Sequence, residues 1–317
     1  MCVLATTAAT SVALLMAVAS PPVFAHAAAA PEAAEQPAPA SGETIEGAAE
    51  AKDDDANTGE LAKAVQNPIA DLTSVLFQEN LDYDIGPYDR ARSTLNVQPV
   101  IPVRLTPELM LITRTIVPIV YQPDVGNMVG GSSGLGDVNP AFFFSPVEHG
   151  PLSWGLGPAF ILPTATQHAT GMGKWSLGVT ATGVLQPGKW TIGVLASNLW
   201  SVSGSDRPSV GRMTIQYFIN YNLPKAWYLT SAPILTADWR ADEDDTWTIP
   251  VGAGAGKIFK LGKLPLNGSL SMYRNVARSN AVPSAVWQMR VEIALLFPTA
   301  KPPAAKPSSE VAAAPDR

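Results

Sequence analysis

The sequence predicts an all-β fold, an antiparallel transmembrane β-barrel of about twelve strands with both termini on the periplasmic side. Three observations predict it. Charged residues are only 15% of the 317-residue chain while hydrophobic residues are 46%, against a charged share of about 25% in soluble domains. Long segments alternate apolar and polar residues with the two-residue period of a strand. The connections between them alternate short and long, the rhythm of tight periplasmic turns and extended outer loops. Beyond residue 30 no stretch approaches the roughly 18 uncharged apolar residues of a spanning helix. The apolar content is therefore spread over strands, one face at a time.

Ahead of the barrel the chain divides by composition. Residues 1–26 read as a cleaved signal peptide. They are small or apolar from Val3 to Phe24 and end at Val23-Phe24-Ala25 and Ala25-His26-Ala27, which place small residues where a signal peptidase cuts. No Lys or Arg precedes Lys52, so the usual positive start is absent and the position of the first residue stays open. Residues 27–60 are Ala, Pro, Glu and Asp with almost no large apolar side chain. Such a segment buries too little surface to offset the entropy of ordering it, which predicts a disordered linker. Residues 299–317 have the same character. Asp53-Asp54-Asp55 belongs to this solvated stretch.

Composition also excludes chemistry. Cys2 is the only cysteine and lies in the leader, so a processed chain has no disulfide, no thiolate nucleophile and no cysteine zinc site. A formal net charge of −6 argues against a nucleic-acid partner.

The alternation begins near residue 71. Trp287, Met289, Val291, Ile293, Leu295 and Phe297 share one parity, and Gln288, Arg290 and Glu292 the other. Met213, Ile215, Tyr217, Ile219, Tyr221 and Leu223 stand likewise against Thr214, Gln216, Asn220 and Asn222. Trp175, Leu177, Val179 and Ala181 stand against Ser176, Thr180 and Thr182. Each pattern puts an apolar stripe outward and polar groups inward. The runs match a tilted spanning strand in length and exceed the usual globular strand.

Short turns are expected at Arg104–Pro107, Val147–Pro151, Pro187–Gly188, Leu223–Lys225 and Gly262–Lys263. Longer loops are expected at Gln122–Gly134, Thr164–Lys174, Ser201–Val210, Arg240–Thr246 and Val276–Ser284. With a further loop at Tyr83–Arg92 and an opening strand near Leu72–Leu81, these connections join twelve strands. Trp175, Trp190, Trp200, Trp227, Trp247 and Trp287 fall near predicted strand ends, where an amphipathic ring suits the membrane interface. Pro99, Pro118, Pro233 and Pro250 fall inside predicted strands, where each removes a ladder donor and calls for a bulge or a break.

Several motifs resemble a family of proteobacterial outer-membrane proteins. They are Asn67-Pro-Ile-Ala-Asp71, Leu95-Asn-Val-Gln-Pro-Val-Ile-Pro102, Ile112-Thr-Arg-Thr115, Gly134-Leu-Gly-Asp137, Asn220-Tyr-Asn222, the stretch from Trp247 to Lys257, and Leu296-Phe-Pro298. Members are labelled transporters, some under "MetA pathway of phenol degradation" and some as "neuromedin U". The resemblance covers about residues 61–298. It implies an outer-membrane barrel that passes small molecules, aromatic or otherwise apolar ones among them. It supplies no catalytic residues and no cofactor. A tail beyond Phe297 departs from barrels that end on a terminal aromatic.

The candidate functional residues are the lumen-facing polar side chains Asn96, Gln98, Gln216, Asn220, Arg290 and Glu292, which either line a pore or pair with one another in a filled interior. Gly252-Ala-Gly-Ala-Gly-Lys257 superficially matches a phosphate loop, but Val251 and Ile258 replace residues that loop requires. It reads as glycines lightening a crowded strand. Asp238 to Asp245 concentrates five carboxylates without regular ligand spacing and reads as a solvated outer loop. An outer-membrane lipid hydrolase needs a serine, a base and an orienting partner. His149 and His168 are the only histidines after the leader, and neither shows such a setting, so no enzyme, metal or cofactor is expected. A structural or envelope-interaction barrel without transport is the first alternative, and the lipid hydrolase the third reading. Expected partners are outer-membrane lipid and lipopolysaccharide, the barrel-assembly machinery and a small-molecule cargo.

Overall fold

The computed structural model describes residues 60–298, apart from 126–130, 149, 205, 207, 263 and 281–283. The expected leader, linker up to residue 59 and tail lie outside the described residues, as do Cys2, Asp53–Asp55 and His149.

Fourteen strands follow in order: β1 (Leu72–Ile85), β2 (Arg90–Arg104), β3 (Leu109–Gln122), β4 (Ser132–Leu135), β5 (Asn139–Pro146), β6 (Leu152–Ile161) and β7 (Lys174–Leu185). They continue with β8 (Trp190–Gly204), β9 (Gly211–Asn222), β10 (Trp227–Ser231), β11 (Ile234–Asp238), β12 (Trp247–Leu261), β13 (Leu264–Ala277) and β14 (Trp287–Pro298). Each stave pairs antiparallel with its neighbours, and β1 pairs with β14 from Leu72↔Pro298 to Tyr83↔Trp287. The sheet is therefore closed. β10 and β11 are halves of one stave between β9 and β12, and β4 folds back on β3 outside the circuit. That leaves twelve staves, as the loop rhythm predicts.

Most predicted connections fall between the observed strands, but the loop expected at Gln122–Gly134 contains most of β4, and the one expected at Ser201–Val210 is strand as far as Gly204. Pro187–Gly188 lies between β7 and β8 with Gly188 at φ +55, a left-handed turn position that suits glycine. A third connection is also corrected. The chain expected to loop over Tyr83–Arg92 is strand to Ile85, makes one 3-10 turn at Gly86–Tyr88 and resumes at Arg90. Here the left-handed conformations of Gly86 and Asp89 reverse the chain within a few residues.

Three of the four expected in-strand prolines sit where the ladders are irregular, whereas Pro118 pairs in register with Asn96 in an unbroken run of the β2–β3 ladder. Pro233 lies in the two-residue gap between β10 and β11. Pro250 lies at a register shift between β12 and β13. The β2–β3 ladder lapses across Gln98 and Pro99. Opposite Pro233 the wall is thinned, because β12 pairs with β10 only up to Gly254 and with β11 only at Trp247 and Thr248.

Outward faces are apolar and exposed, as on Trp175, Leu177 and Val179 of β7, while Ser176, Thr180 and Thr182 between them are buried. Tryptophans 175, 190, 200, 227 and 287 are exposed near strand ends. Lys257 lies over the Trp227 ring at 5.1 Å and Arg274 over Trp287 at 5.4 Å. No helix among the described residues is long and apolar enough to cross a membrane; the strands form the membrane face.

The core is inside the lumen, and part of it comes from before the first strand. The linker expected to run through residue 60 gives way at Glu60 to a short helix over 60–65. Pro68 cannot continue a helix, and Asn67 Oδ1 accepts the Ile69 N–H at 3.1 Å, an Asx turn that redirects the chain into β1. Ile69 is fully buried against Met110, Ile112, Phe143, Leu195 and Leu199. Leu61, Ala64 and Val65 pack on Leu72, Ala294 and Leu296. The segment before β1 thus enters the barrel and covers inner faces that are apolar, not polar.

Candidate functional site: the barrel lumen

The lumen holds a chain of polar side chains spread over four adjacent staves. Arg114 of β3 donates from Nε (3.1 Å) and Nη2 (2.6 Å) to Gln98 Oε1 on β2. Gln98 Nε2 donates to Gln78 Oε1 on β1 at 2.6 Å, and Gln78 Nε2 donates to Asn80 Oδ1 at 3.2 Å. Arg290 of β14 donates from Nε to the same Asn80 oxygen at 3.0 Å and from Nη2 to Gln288 Oε1 at 3.1 Å. Gln288 Nε2 reaches Asp82 Oδ1 at 2.9 Å, and Asp82 Oδ2 closes an ion pair with Arg92 at 2.7 Å. Strand alternation places these residues on one inward face, and the antiparallel registers bring them level.

Each candidate residue can now be placed. Gln98 and Arg290 are buried members of this chain. Gln216, Asn220 and Glu292 line a cavity of about 200 Å³ toward the end that carries the short turns. Asn96 shares the Gln98 parity on β2 and pairs in register with Gln78, and it is half-buried. Arg290 and Glu292, side by side on one face, do not neutralise each other. Arg290 bonds neutral partners and lies 5.0 Å from the Tyr273 ring centroid, while Glu292 accepts from Ser269 Oγ at 3.0 Å. Two residues apart on a strand, both point inward, but the neighbouring staves offer each a nearer partner.

Three cavities succeed one another along the axis. The first, of about 200 Å³, is bounded by residues 64–68 of the entering segment, with Gln98, Asn220 and Tyr228. The second, of about 320 Å³, is lined by the apolar Phe143, Leu195 and Leu199 together with Arg114, Thr214 and Arg212. The third, of about 1190 Å³, opens between the outer loops near His168, Asp206 and Arg240. Arg114, Leu195 and Gln216 line both the first and the second. Gly171, Met172 and Arg212 line both the second and the third. Neighbouring cavities therefore meet at shared side chains.

Both constrictions are built structures. At the outer one, Asp137 accepts backbone N–H bonds from Ala165 on one oxygen and from Met172 and Gly173 on the other. Thr170 Oγ1 donates to Leu135 O at 2.7 Å. These bonds fold residues 165–173 into the mouth. At the inner one, Gln66 Nε2 donates to Asn222 Oδ1 at 2.9 Å and Gln186 Nε2 to Lys63 O at 2.8 Å, fixing the entering segment to β9 and to the β7–β8 turn.

The glycine-rich stretch of β12 has a packing reason. A Cβ at Gly256 would stand 2.2 Å from Tyr228 Cζ, and the Tyr228 hydroxyl donates to Asn267 Oδ1 at 2.8 Å. Glycine there makes room for a lumen tyrosine, as the crowded-strand reading of Gly252–Lys257 expects. Glu243, Asp244 and Asp245 form an exposed or half-exposed 3-10 turn in the outer loop. Among the described residues no three His, Cys, Asp or Glu side chains converge as metal ligands. His168 is exposed on a 3-10 turn at the mouth.

Sequence reasoning missed Arg114, Arg212, Gln78, Asn80 and Tyr228. Arg114 shares its face with Met110, Ile112 and Ile116, so β3 has no polar stripe to reveal it. The signal was a lone cation within an apolar strand.

No protein-family model matches the sequence, and a search of curated proteins finds no relative. Among solved structures, the chain is similar to an outer membrane channel from Pseudomonas putida F1, with TM-score 0.56, 18% identity, 71% of this chain and 95% of that one covered. It also aligns with the outer membrane phospholipase A from Escherichia coli (TM-score 0.41, 12% identity, 75% and 98% covered) and with the NanC porin (TM-score 0.43, 8% identity, 72% and 100% covered). What the first of these likenesses carries is the fold: this chain is a closed twelve-stave outer-membrane-type barrel, and that fold places it in the outer membrane.

Proposed function

We propose that the barrel mediates passage of small molecules, aromatic or otherwise apolar ones among them, across the outer membrane. The observation that carries this reading is the succession of cavities from the outer mouth to the entering segment, each sharing lining residues with the next. A barrel whose interior serves only as a structural core fills with side chains. This one keeps space, and its lining is mixed: a hydrogen-bonded polar ladder on β1, β2, β3 and β14 shares the lumen with apolar side chains of β5 and β8. Gln98, Gln216, Asn220, Arg290 and Glu292, with Asn96 on the same face, are the selectivity residues in this reading. The similarity of the sequence motifs to transporter-labelled outer-membrane proteins agrees with it.

Planar-bilayer recording and liposome uptake test the proposal. Discrete small openings, and uptake of small aromatic solutes faster than of sugars of equal mass, are expected. A folded, heat-modifiable barrel that neither conducts nor admits solute would leave the structural-barrel alternative.

A further inference from the structure

Two guanidinium groups, those of Arg114 and Arg212, line the middle cavity. Among the described residues, neither Arg114 nor Arg212 has a carboxylate oxygen within ion-pairing distance. Arg114 is held by Gln98, and Glu292 faces it from the first cavity. Arg212 stands in register with Asp238 of β11, yet donates no hydrogen bond among the described residues. The carboxylate lining the same cavity, Asp137, is already occupied by three backbone N–H groups. The same cavity is lined by Phe143, Ile161, Leu195 and Leu199, and Leu199 stands in register beside Arg212 on the neighbouring strand.

We infer that this cavity is a binding site for a small amphiphilic monoanion, an aromatic or short-chain carboxylate. Its head group is taken by Arg212 in the field of Arg114, and its body lies on the Phe143–Leu199 wall. The inference rests on the passage reading and names a solute class for it. A guanidinium offers a planar pair of donors that matches a carboxylate. Half-buried and donating no hydrogen bond among the described residues, Arg212 gains more from such an anion than a fully exposed arginine does. Size agrees: apolar cavities of roughly 150 Å³ accept benzene, and this one offers about 320 Å³. Arg114 stands at the inner limit of this cavity, shared with the first, and Arg212 at its outer limit, shared with the third, so an anion held there can be reached from both neighbouring cavities.

The test is calorimetric titration of the full chain in zwitterionic nanodiscs with benzoate, its neutral isostere benzamide and the cation benzylamine. Benzoate is expected to bind about tenfold or more tighter than either. Arg212→Gln, which breaks no hydrogen bond within the protein, is expected to abolish that preference while heat-modifiable migration is unchanged. Arg212→Lys should restore part of it. Equal binding of the three probes, or an undiminished benzoate preference in Arg212→Gln, overturns the assignment. Conductance is read separately: a silent barrel that still prefers benzoate removes the channel reading and keeps the site, and a conducting barrel without the preference does the reverse.

Discussion

Arg290 Nη1 donates a 2.7 Å hydrogen bond to the carbonyl oxygen of Ala232, at the point where Pro233 interrupts the stave between β10 and β11. The Ala232 N–H donates to the Tyr273 hydroxyl at 3.4 Å, and Arg290 lies over that ring. A break in the barrel wall is thus tied, past β12 and β13, to the seam strand β14 by one buried cation. In a closed barrel the unpaired carbonyl and N–H of such a break need partners from inside.

Arg290→Met is therefore expected to cost about 2–4 kcal/mol, because it strands the Ala232 carbonyl, Asn80 and Gln288 at once. Arg290→Lys should recover little, since a single ammonium cannot span the three acceptors. Urea unfolding in detergent measures both, and a lysine variant as stable as the parent would contradict the geometry.

Ile69 seals the inner constriction against Phe143 and Leu195. Ile69→Ala should weaken docking of the entering segment by about 2–4 kcal/mol. Because the barrel ladders do not pass through Ile69, single-channel conductance should rise while the melting temperature of the barrel stays within a few degrees.

Asp137 tethers the outer loop through three N–H groups. Hydrogen bonds to a charged acceptor contribute about 1.5–3 kcal/mol each, so Asp137→Ala should raise the open population of residues 164–173 by tenfold or more. Protease added from outside should cut this loop correspondingly faster, with the barrel fragments still migrating as folded.

Gly256→Ala drives a methyl into the Tyr228 ring and is expected to cost about 1–3 kcal/mol. Combining it with Tyr228→Ala should cost less than the sum of the two single changes, since one substitution empties the space the other fills. Additive losses in a double-mutant cycle would show that the ring is not what excludes a side chain at 256.

The staves and their order were legible because each carries its own evidence: β7 and β9 alternate residue by residue, and turn residues fall between them. The entering segment was not, for a physical reason. Residues 60–71 are too short to show a period, and their partners, Asn222 and Leu195 among them, are more than a hundred positions away. The same segment hides the lumen elsewhere. Where Ile69 and Val65 cover β3 and β14, the inner positions Ile112, Ala294 and Leu296 are apolar, so both faces of the strand read alike. Of the site, Gln98, Gln216, Asn220, Arg290 and Glu292 were visible by parity, whereas Arg114 stands among apolar neighbours and Arg212, which continues the Thr214–Gln216 parity, borders the loop expected at Ser201–Val210. The long loop expected at Tyr83–Arg92 shrank because Gly86 and Asp89 turn left-handed.

The seam between β1 and β14 joins the two most distant parts of the described barrel, and the entering segment lies on it, with Leu61, Ala64 and Val65 packed against the cluster that Leu72 of β1 forms with Ala294 and Leu296 of β14. This has a consequence for the order of assembly. Contacts between chain ends carry the largest entropic penalty and form late, and the apolar strip on either side of the seam exists only once β1 and β14 have met. The inner constriction therefore sets after closure, as a clasp whose catch is the finished ring, and a chain stalled before closure lacks the surface that would hold it shut.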